Sequence, residues 1–308
     1  MKVGILGATG FIGSHLLKYL ASQGVDCVAF SRKSINDDVE HVSWINIDQS
    51  SNQDDFGWLD QGIDVLIDCA GAAEVRGGEK SLISLIERDI AFKSKILKNC
   101  ELFGVGHYIY FSSIKVYGES SSESYFDESS PLNPTSAYGR MKLEIEREIF
   151  SKAKFSKTIA SILRIPLVYD KDKSKSFLTL LNFLRKGVWL PFSGVKNSRS
   201  VLAVSNLCTF IEKLIIHSPT KSAVWCVTDQ LPVSTRGLIE LLANYHGLKA
   251  KFFYMPNFIM WTLLNIIGRK VFYDKLYNNL LVNDFKSATK LDWKPTTNIE
   301  IELIRADD

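Results

Sequence analysis

The 308-residue sequence is poor in the residues that build metal centres and disulfide frameworks, with five cysteines and five histidines. Cys27, Cys69, Cys100, Cys208 and Cys226 are odd in number and scattered, and they form no C-x-x-C pair. That pattern excludes a disulfide scaffold and reads as reduced core thiols. The histidines lack ligand spacing, so no metal is expected. An excess of one charge is missing too: 37 basic and 34 acidic residues leave a formal net charge of +3, with no basic block. This argues against a nucleic-acid partner. No charged and apolar leader precedes Lys2-Val3-Gly4-Ile5-Leu6, which begins a strand at once, so a cytoplasmic chain is expected. One apolar stretch stands out, from Phe252 to Gly268, and Pro256, Asn257 and Asn265 interrupt it. Its unbroken part is too short to span a bilayer, so no stable membrane insertion is expected. A buried or substrate-covering helix is the expectation there. Peripheral membrane contact through Phe258, Trp261 and Leu264 is the alternative.

What is present is alternation. Apolar strands at 3–6, 26–30, 41–47, 65–68, 108–112 and 158–165 are separated by helical patterns at 11–22, 82–103 and 138–150. Such repetition predicts a parallel sheet covered on both faces. With 46% hydrophobic residues the chain can fill a substantial core. The expected architecture is α/β: a Rossmann-type, doubly wound parallel sheet over residues 1–170. A smaller C-terminal substrate-binding region follows over 171–308, with 200–218 a candidate to pack back on the first domain.

Gly7-Ala8-Thr9-Gly10-Phe11-Ile12-Gly13 follows the first strand and opens a helix, the context in which spaced glycines mean dinucleotide binding. Gly7 permits the tight turn, Gly10 admits the pyrophosphate, and Gly13 lets helix and strand approach. Thr9, Phe11 and Ile12 complete this candidate loop, and the helix N-terminus offers free N–H groups to phosphate. Ala70 and Gly71, after the fourth strand, are further cofactor candidates. Beyond the second strand come Ser31, Arg32 and Lys33, with no carboxylate for a ribose 2′-hydroxyl. Arginine suits a 2′-phosphate and can stack on adenine, so NADP(H) is favoured, with NAD(H) the alternative. Asp48 is a candidate for the adenine amine.

Tyr138-Gly139-Arg140-Met141-Lys142 places a phenol and an ammonium one helical turn apart on one face. An ammonium there is expected to lower the phenol pKa, and such a tyrosine exchanges protons with a carbinol or ketone. Ser112 and Ser113 end the fifth strand, where the ligand crevice of an open parallel sheet lies. A serine hydroxyl there can hydrogen-bond a substrate oxygen.

Together, Gly7–Gly13, Ser112–Gly118, the Pro-Leu-Asn-Pro-x-Ser-x-Tyr-Gly-x-x-Lys run ending at Lys142, and Leu163–Tyr169 resemble the extended short-chain dehydrogenase/reductases. More narrowly, they resemble the nucleotide-sugar epimerase/dehydratase group. The resemblance implies Ser113, Tyr138 and Lys142 as catalytic residues, a UDP-sugar substrate touching Ser112, Ser113 and Tyr138, and Arg199 on its pyrophosphate. Ile114 and Lys115 stand where dehydratases carry an Asp-Glu pair, which disfavours dehydration. Lys115 also replaces the glutamate of the decarboxylase branch. Ser198–Leu202, Tyr273–Leu276 and Leu291–Pro295 resemble bacterial reductases of UDP-4-keto-6-deoxy-N-acetylhexosamines. In that analogy 189–192 is a candidate wall for uracil. The expectation is a 4-ketoreductase serving surface polysaccharide synthesis. A UDP-hexose or UDP-N-acetylhexosamine 4-epimerase with tightly bound NAD is the alternative, and a non-catalytic dinucleotide sensor the rival outside enzymes. A homodimer is common in the resembled family.

Overall fold

The computed structural model describes residues 1–35, 37–47, 56–71, 79–121, 124–170, 175–268 and 270–303. In chain order its elements begin β1 (Lys2–Leu6), α1 (Phe11–Ser22), β2 (Asp26–Ser31), β3 (Val42–Asn46), β4 (Val65–Asp68), α2 (Glu79–Leu102), β5 (His107–Ser113), α3 (Ala137–Ala153) and β6 (Ile159–Ile165). There follow β7 (Leu167–Tyr169), α4 (Lys175–Arg185), β8 (Trp189–Leu190), β9 (Val201–Ala203), α5 (Val204–His217), β10 (Ala223–Cys226) and α6 (Thr235–Tyr245). The chain ends with β11 (Lys251–Phe252), α7 (Asn257–Ile266), α8 (Lys270–Tyr277), α9 (Phe285–Leu291) and α10 (Ile299–Glu302).

Seven strands form the central sheet in the order β10-β6-β5-β4-β1-β2-β3. The pairs β1–β2, β2–β3, β1–β4 and β4–β5 are parallel, as expected of a Rossmann-type doubly wound sheet. All seven residues of β5 are buried, the signature of a strand covered on both faces. On α1, Gly13, Leu16, Leu17, Leu20 and Ala21 turn inward, the spacing of an apolar stripe on a 3.6-residue helix. The strand order reverses between β1 and β4, and a crevice opens at the carboxyl ends of strands flanking such a point.

The chain divides into two compact units that interleave in sequence. The first comprises Met1–Val116, Ala137–Arg164 and Cys208–Trp225, and the second Tyr117–Ser136, Ile165–Leu207 and Cys226–Asp308. The second unit has its own core, in which Tyr169, Phe177, Val201, Leu242 and Tyr277 join. It holds the small pairs β7–β9 and β8–β11.

The buried alternative for 252–268 is corrected in the second unit. The apolar 252–268 stretch contains α7, but α7 has no buried residue. Phe258 is 70% exposed and Ile266 75%. Met260 alone among the α7 residues joins the edge of the core. Apolar residues encircle this helix, a composition that usually marks a buried helix, yet it lies at the rim of the core and cannot turn them all inward. Among the described residues no helix is long and apolar enough to cross a membrane. All five cysteines are free. Among the described residues no His, Cys, Asp and Glu gather as a metal-binding group.

Candidate active site

The glycine loop lies at the switch point. Gly7 has φ +80°, a left-handed conformation that favours glycine, and a Cβ there would stand 2.9 Å from the Ala70 nitrogen. Gly7 thus brings the end of β1 against the turn after β4. A Cβ on Gly13 would meet the Gly7 carbonyl oxygen at 2.3 Å, so α1 packs on the loop at a distance only glycine allows. Gly10 donates its N–H to the Gly7 carbonyl, closing the turn at 2.9 Å. No side chain caps α1 at Gly10, and its first turn holds no acidic residue. Thr9 and Gly10 are exposed, and Phe11 and Ile12 are half-buried. An uncapped helix start behind a closely packed glycine turn fits a pyrophosphate, which would satisfy those N–H groups and the helix dipole.

The turn after β4 is built by a buried ion pair absent from the sequence reading. Lys93 on α2 donates to Asp68 Oδ2 at 2.6 Å and to the Ala70 carbonyl at 3.0 Å. Tyr108 donates its hydroxyl to the same carboxylate at 2.6 Å, and the Ala70 N–H reaches Asp68 Oδ1 at 3.0 Å. Both charged side chains are almost wholly buried. The network orients the peptide bonds of Ala70 and Gly71, half-buried and exposed respectively. The legible signal was Lys93 itself, which stands on the buried stripe of α2 between Ile90 and Leu97. At the end of β2, Ser31 is buried and its hydroxyl accepts the Lys33 N–H, while Arg32 is exposed. Asp48 lies outside the described residues.

Tyr138 and Lys142 occupy the first two turns of α3. Lys142 is buried and donates to the Tyr110 hydroxyl at 3.0 Å and to the Phe111 carbonyl at 2.8 Å. Its Nζ lies 4.7 Å from the Tyr110 ring centre and 5.8 Å from that of Tyr138. A Cβ built on Gly71 would be 3.7 Å from the same ammonium. Lys142 therefore links α3, the end of β5 and the turn after β4. Burial lowers its pKa to about 8, with the Lys93 charge adding to the effect and Asp68, Asp89 and Glu146 opposing it. Burial also pushes Tyr138 up to about 12. The expected lowering of the phenol is thus absent here. The reason is the loss of water around the half-buried ring, while the ammonium spends its hydrogen bonds on Tyr110 and Phe111.

The two serines part company, as successive residues of a strand must. Ser113 is buried at the carboxyl end of β5, and its hydroxyl accepts the Lys115 N–H at 3.3 Å. Ser112 donates its hydroxyl to Glu146, which forms a buried pair with Arg164 at 2.7 Å. Ser112 is therefore committed to an internal network, and the structure does not bring it to the side of Ser113. In the second unit, Arg199 bridges Val233 and Leu280 through its backbone. Its Nη1 donates to the carbonyls of Asp274 and Asn278 at 3.2 and 2.9 Å. Burial lowers its pKa to about 10, against the pull of Glu119 and Asp274. Trp189, a candidate wall for uracil, is 60% exposed, whereas Phe192 is buried against Tyr277.

Comparison with known proteins bears on this arrangement. Over 301 residues the chain is 27% identical to the UDP-glucose 4-epimerase of Vibrio cholerae, covering 96% of this chain and 91% of that one. It is 30% identical to Protein CapI of Staphylococcus aureus over 328 residues, 94% and 95% of the two chains. Among solved structures, the UDP-glucuronic acid 4-epimerase of Bacillus cereus in complex with NAD superimposes with a TM-score of 0.78. That match is 20% identical and covers 98% of this chain and 96% of the other, a likeness of fold. The sequence pattern of the NAD dependent epimerase/dehydratase family matches residues 3–224, a span that includes the glycine loop, Ser113, Tyr138 and Lys142. This chain is an enzyme of the NAD dependent epimerase/dehydratase family.

Proposed function

We propose that this enzyme exchanges a hydride and a proton at C4 of a UDP-linked hexose. The observation that carries the reading is the convergence of Tyr138, Lys142 and the glycine turn on the carboxyl ends of β1, β4 and β5. A bound nicotinamide dinucleotide supplies or accepts the hydride. Gly7, Gly10 and the open start of α1 hold its pyrophosphate, with Thr9, Phe11 and Ile12 beside it. Ala70 and Gly71 line the turn on the other side. Tyr138 gives its proton to the oxygen that develops charge, and Ser113 steadies that oxygen by a hydrogen bond. Burial keeps the Tyr138 phenol in its protonated, donating form and at the same time makes it a weaker acid, so stabilisation of the phenolate matters. Lys142 orients the ribose and stabilises the phenolate left behind. Residues 171–308 are the candidate substrate-binding region, with Arg199 the candidate for the pyrophosphate. Nη1 of Arg199 is engaged by backbone carbonyls, so the pyrophosphate contact falls to its other donors.

The finer reading is net reduction of a 4-keto-6-deoxy-hexosamine by NADPH. Its support is Ser31-Arg32-Lys33, where no carboxylate waits for a ribose 2′-hydroxyl. A second reading, 4-epimerisation with retained NAD, is favoured by the activities for which the similar Vibrio and Bacillus proteins are named. One experiment separates them. The protein is purified and denatured, and any released dinucleotide is identified. Fresh protein is then given NADPH or NADH with UDP-4-keto sugars, and UDP-hexoses without reductant. Consumption of NADPH with a ketone supports the reductase. Copurified NAD with hexose interconversion moves the assignment to the epimerase. Dinucleotide binding with neither activity overturns both.

A further inference from the structure

The segment 249–275 is the least expected surface of the molecule. From Phe252 to Gly268 it carries no charged residue. Cations bracket it: Lys249 and Lys251 before, Arg269, Lys270 and Lys275 after, with Asp274 the one acid in the span. Five positive charges against one leave +4 within these residues, more than the +3 of the whole chain. Lys249, Lys251, Lys270 and Lys275 are exposed. Between them Tyr254 is 70% exposed, Phe258 70%, Trp261 44%, Leu263 50% and Ile267 62%. β8 adds Trp189, whose backbone pairs with Lys251, and exposed Arg185 and Lys186 lie just before it.

We propose that this surface seats the enzyme on an anionic lipid bilayer, with α7 lying in the interface plane. A short helix whose apolar side chains, aromatics among them, face water gains free energy by entering the boundary between headgroups and acyl chains. Tryptophan and tyrosine favour that depth, because one edge is apolar and the other wet. The lysines stand where anionic headgroups would meet them. The same charges argue against a second copy of the chain as the occupant. A two-fold contact places the patch on itself, which would set one cationic rim against another. Within 249–275 the one opposing acid is Asp274. Contact of this kind is peripheral, since α7 is too short to span. The inference does not depend on the reaction proposed above.

The test uses the full chain and sedimentation with vesicles of phosphatidylcholine alone or mixed with phosphatidylglycerol. The expected result is pelleting with the mixed vesicles at low salt and release at high salt. Replacing Lys249, Lys251 and Lys270 by glutamine should weaken partition by about fivefold each. The double variant Phe258→Ser, Trp261→Ser should stay in the supernatant with its circular dichroism unchanged. Wild-type protein that fails to pellet with mixed vesicles at low salt overturns the proposal, whatever the variants do. So does equal pelleting with both vesicle types that the glutamine variants leave intact. A concentration-dependent dimer, lost in the double variant without any vesicle binding, would reassign the surface to a second copy.

Discussion

Two helices of this protein invert the usual link between composition and burial. Helix α3 carries Arg140, Lys142, Glu144, Glu146, Arg147, Glu148 and Lys152, and still buries eight residues, Lys142 and Glu146 among them. Helix α7 has no charged residue and buries none. The difference lies in what each side chain meets. On α3 the buried charges find partners: Lys142 the Tyr110 hydroxyl and Phe111 carbonyl, Glu146 the Arg164 guanidinium and Ser112. Desolvation is then offset by hydrogen bonds, and the apolar neighbours Met141, Ile145 and Ile149 fill the rest of the face. On α7 the apolar groups outnumber the positions that one core-facing stripe offers. A polar helix with placed partners thus lines a candidate active site, while an apolar helix without them lies on the surface.

The sharpest way to break the comparison is at the one α3 residue assigned the proton. Tyr138→Phe keeps the ring that packs on the core and deletes only the hydroxyl. Turnover should fall by roughly 10²–10⁴-fold, the contribution of a positioned acid or base, with dinucleotide affinity unchanged. Steady-state rates beside isothermal titration check both halves, and a fully active variant would remove Tyr138 from the reaction. Next comes the partner rule itself. Glu146→Gln leaves the Arg164 guanidinium buried without its carboxylate. The expected loss is roughly 3–5 kcal/mol of stability in denaturant unfolding, as for other buried pairs broken on one side. Arg164 and Glu146 replaced together by Met and Leu should cost much less, because no unpaired charge remains.

Lys142 sets a pH dependence. Its folded pKa of about 8 lies below the ordinary value, so the ammonium is fully present below pH 8 and is lost as pH rises through it. Tyr138 stays protonated throughout this range. Reduction should therefore be flat towards neutral pH and fall about tenfold per unit above pH 8, a limb that belongs to Lys142. Lys142→Arg keeps its charge to far higher pH and should remove the limb while lowering the plateau. A limb unchanged in that variant would assign it to another group.

The parts of this enzyme that were readable in the sequence are those governed by short-range rules. A strand, three glycines and a helix start within residues 2–13 obey local steric and dipole constraints, and the structure puts them at the switch point of the sheet. Tyr138 and Lys142 share a face because helical periodicity requires it. The Asp68–Lys93 and Ser112–Glu146 contacts join residues 25 and 34 positions apart, and no local rule links them. Both Ser112 and Ser113 were expected on the substrate, although successive residues of a strand face opposite ways, and Ser112 turns to Glu146 instead. The direction of the Tyr138 shift was also out of reach. Proximity to Lys142 argued for a fall, whereas the buried setting raises it. For 252–268, hydrophobicity suggested a buried or substrate-covering helix, and the buried half of that expectation failed because composition carries no information about whether a complementary face exists.

That last failure yields the smallest effect and the cleanest contrast. Phe258→Ser removes a large apolar side chain that is already 70% in water. If α7 is a surface helix, the folded state loses little, and stability should shift by less than about 0.5 kcal/mol. A phenylalanine buried in a core would cost roughly 3–5 kcal/mol on truncation to alanine, so Phe30→Ala, at 1% exposure, supplies the reference within the same chain. Urea midpoints for the two variants measure the difference directly. A Phe258→Ser cost near that of Phe30→Ala would mean that α7 is covered in the free protein, and the inverted pairing of composition and burial would fail.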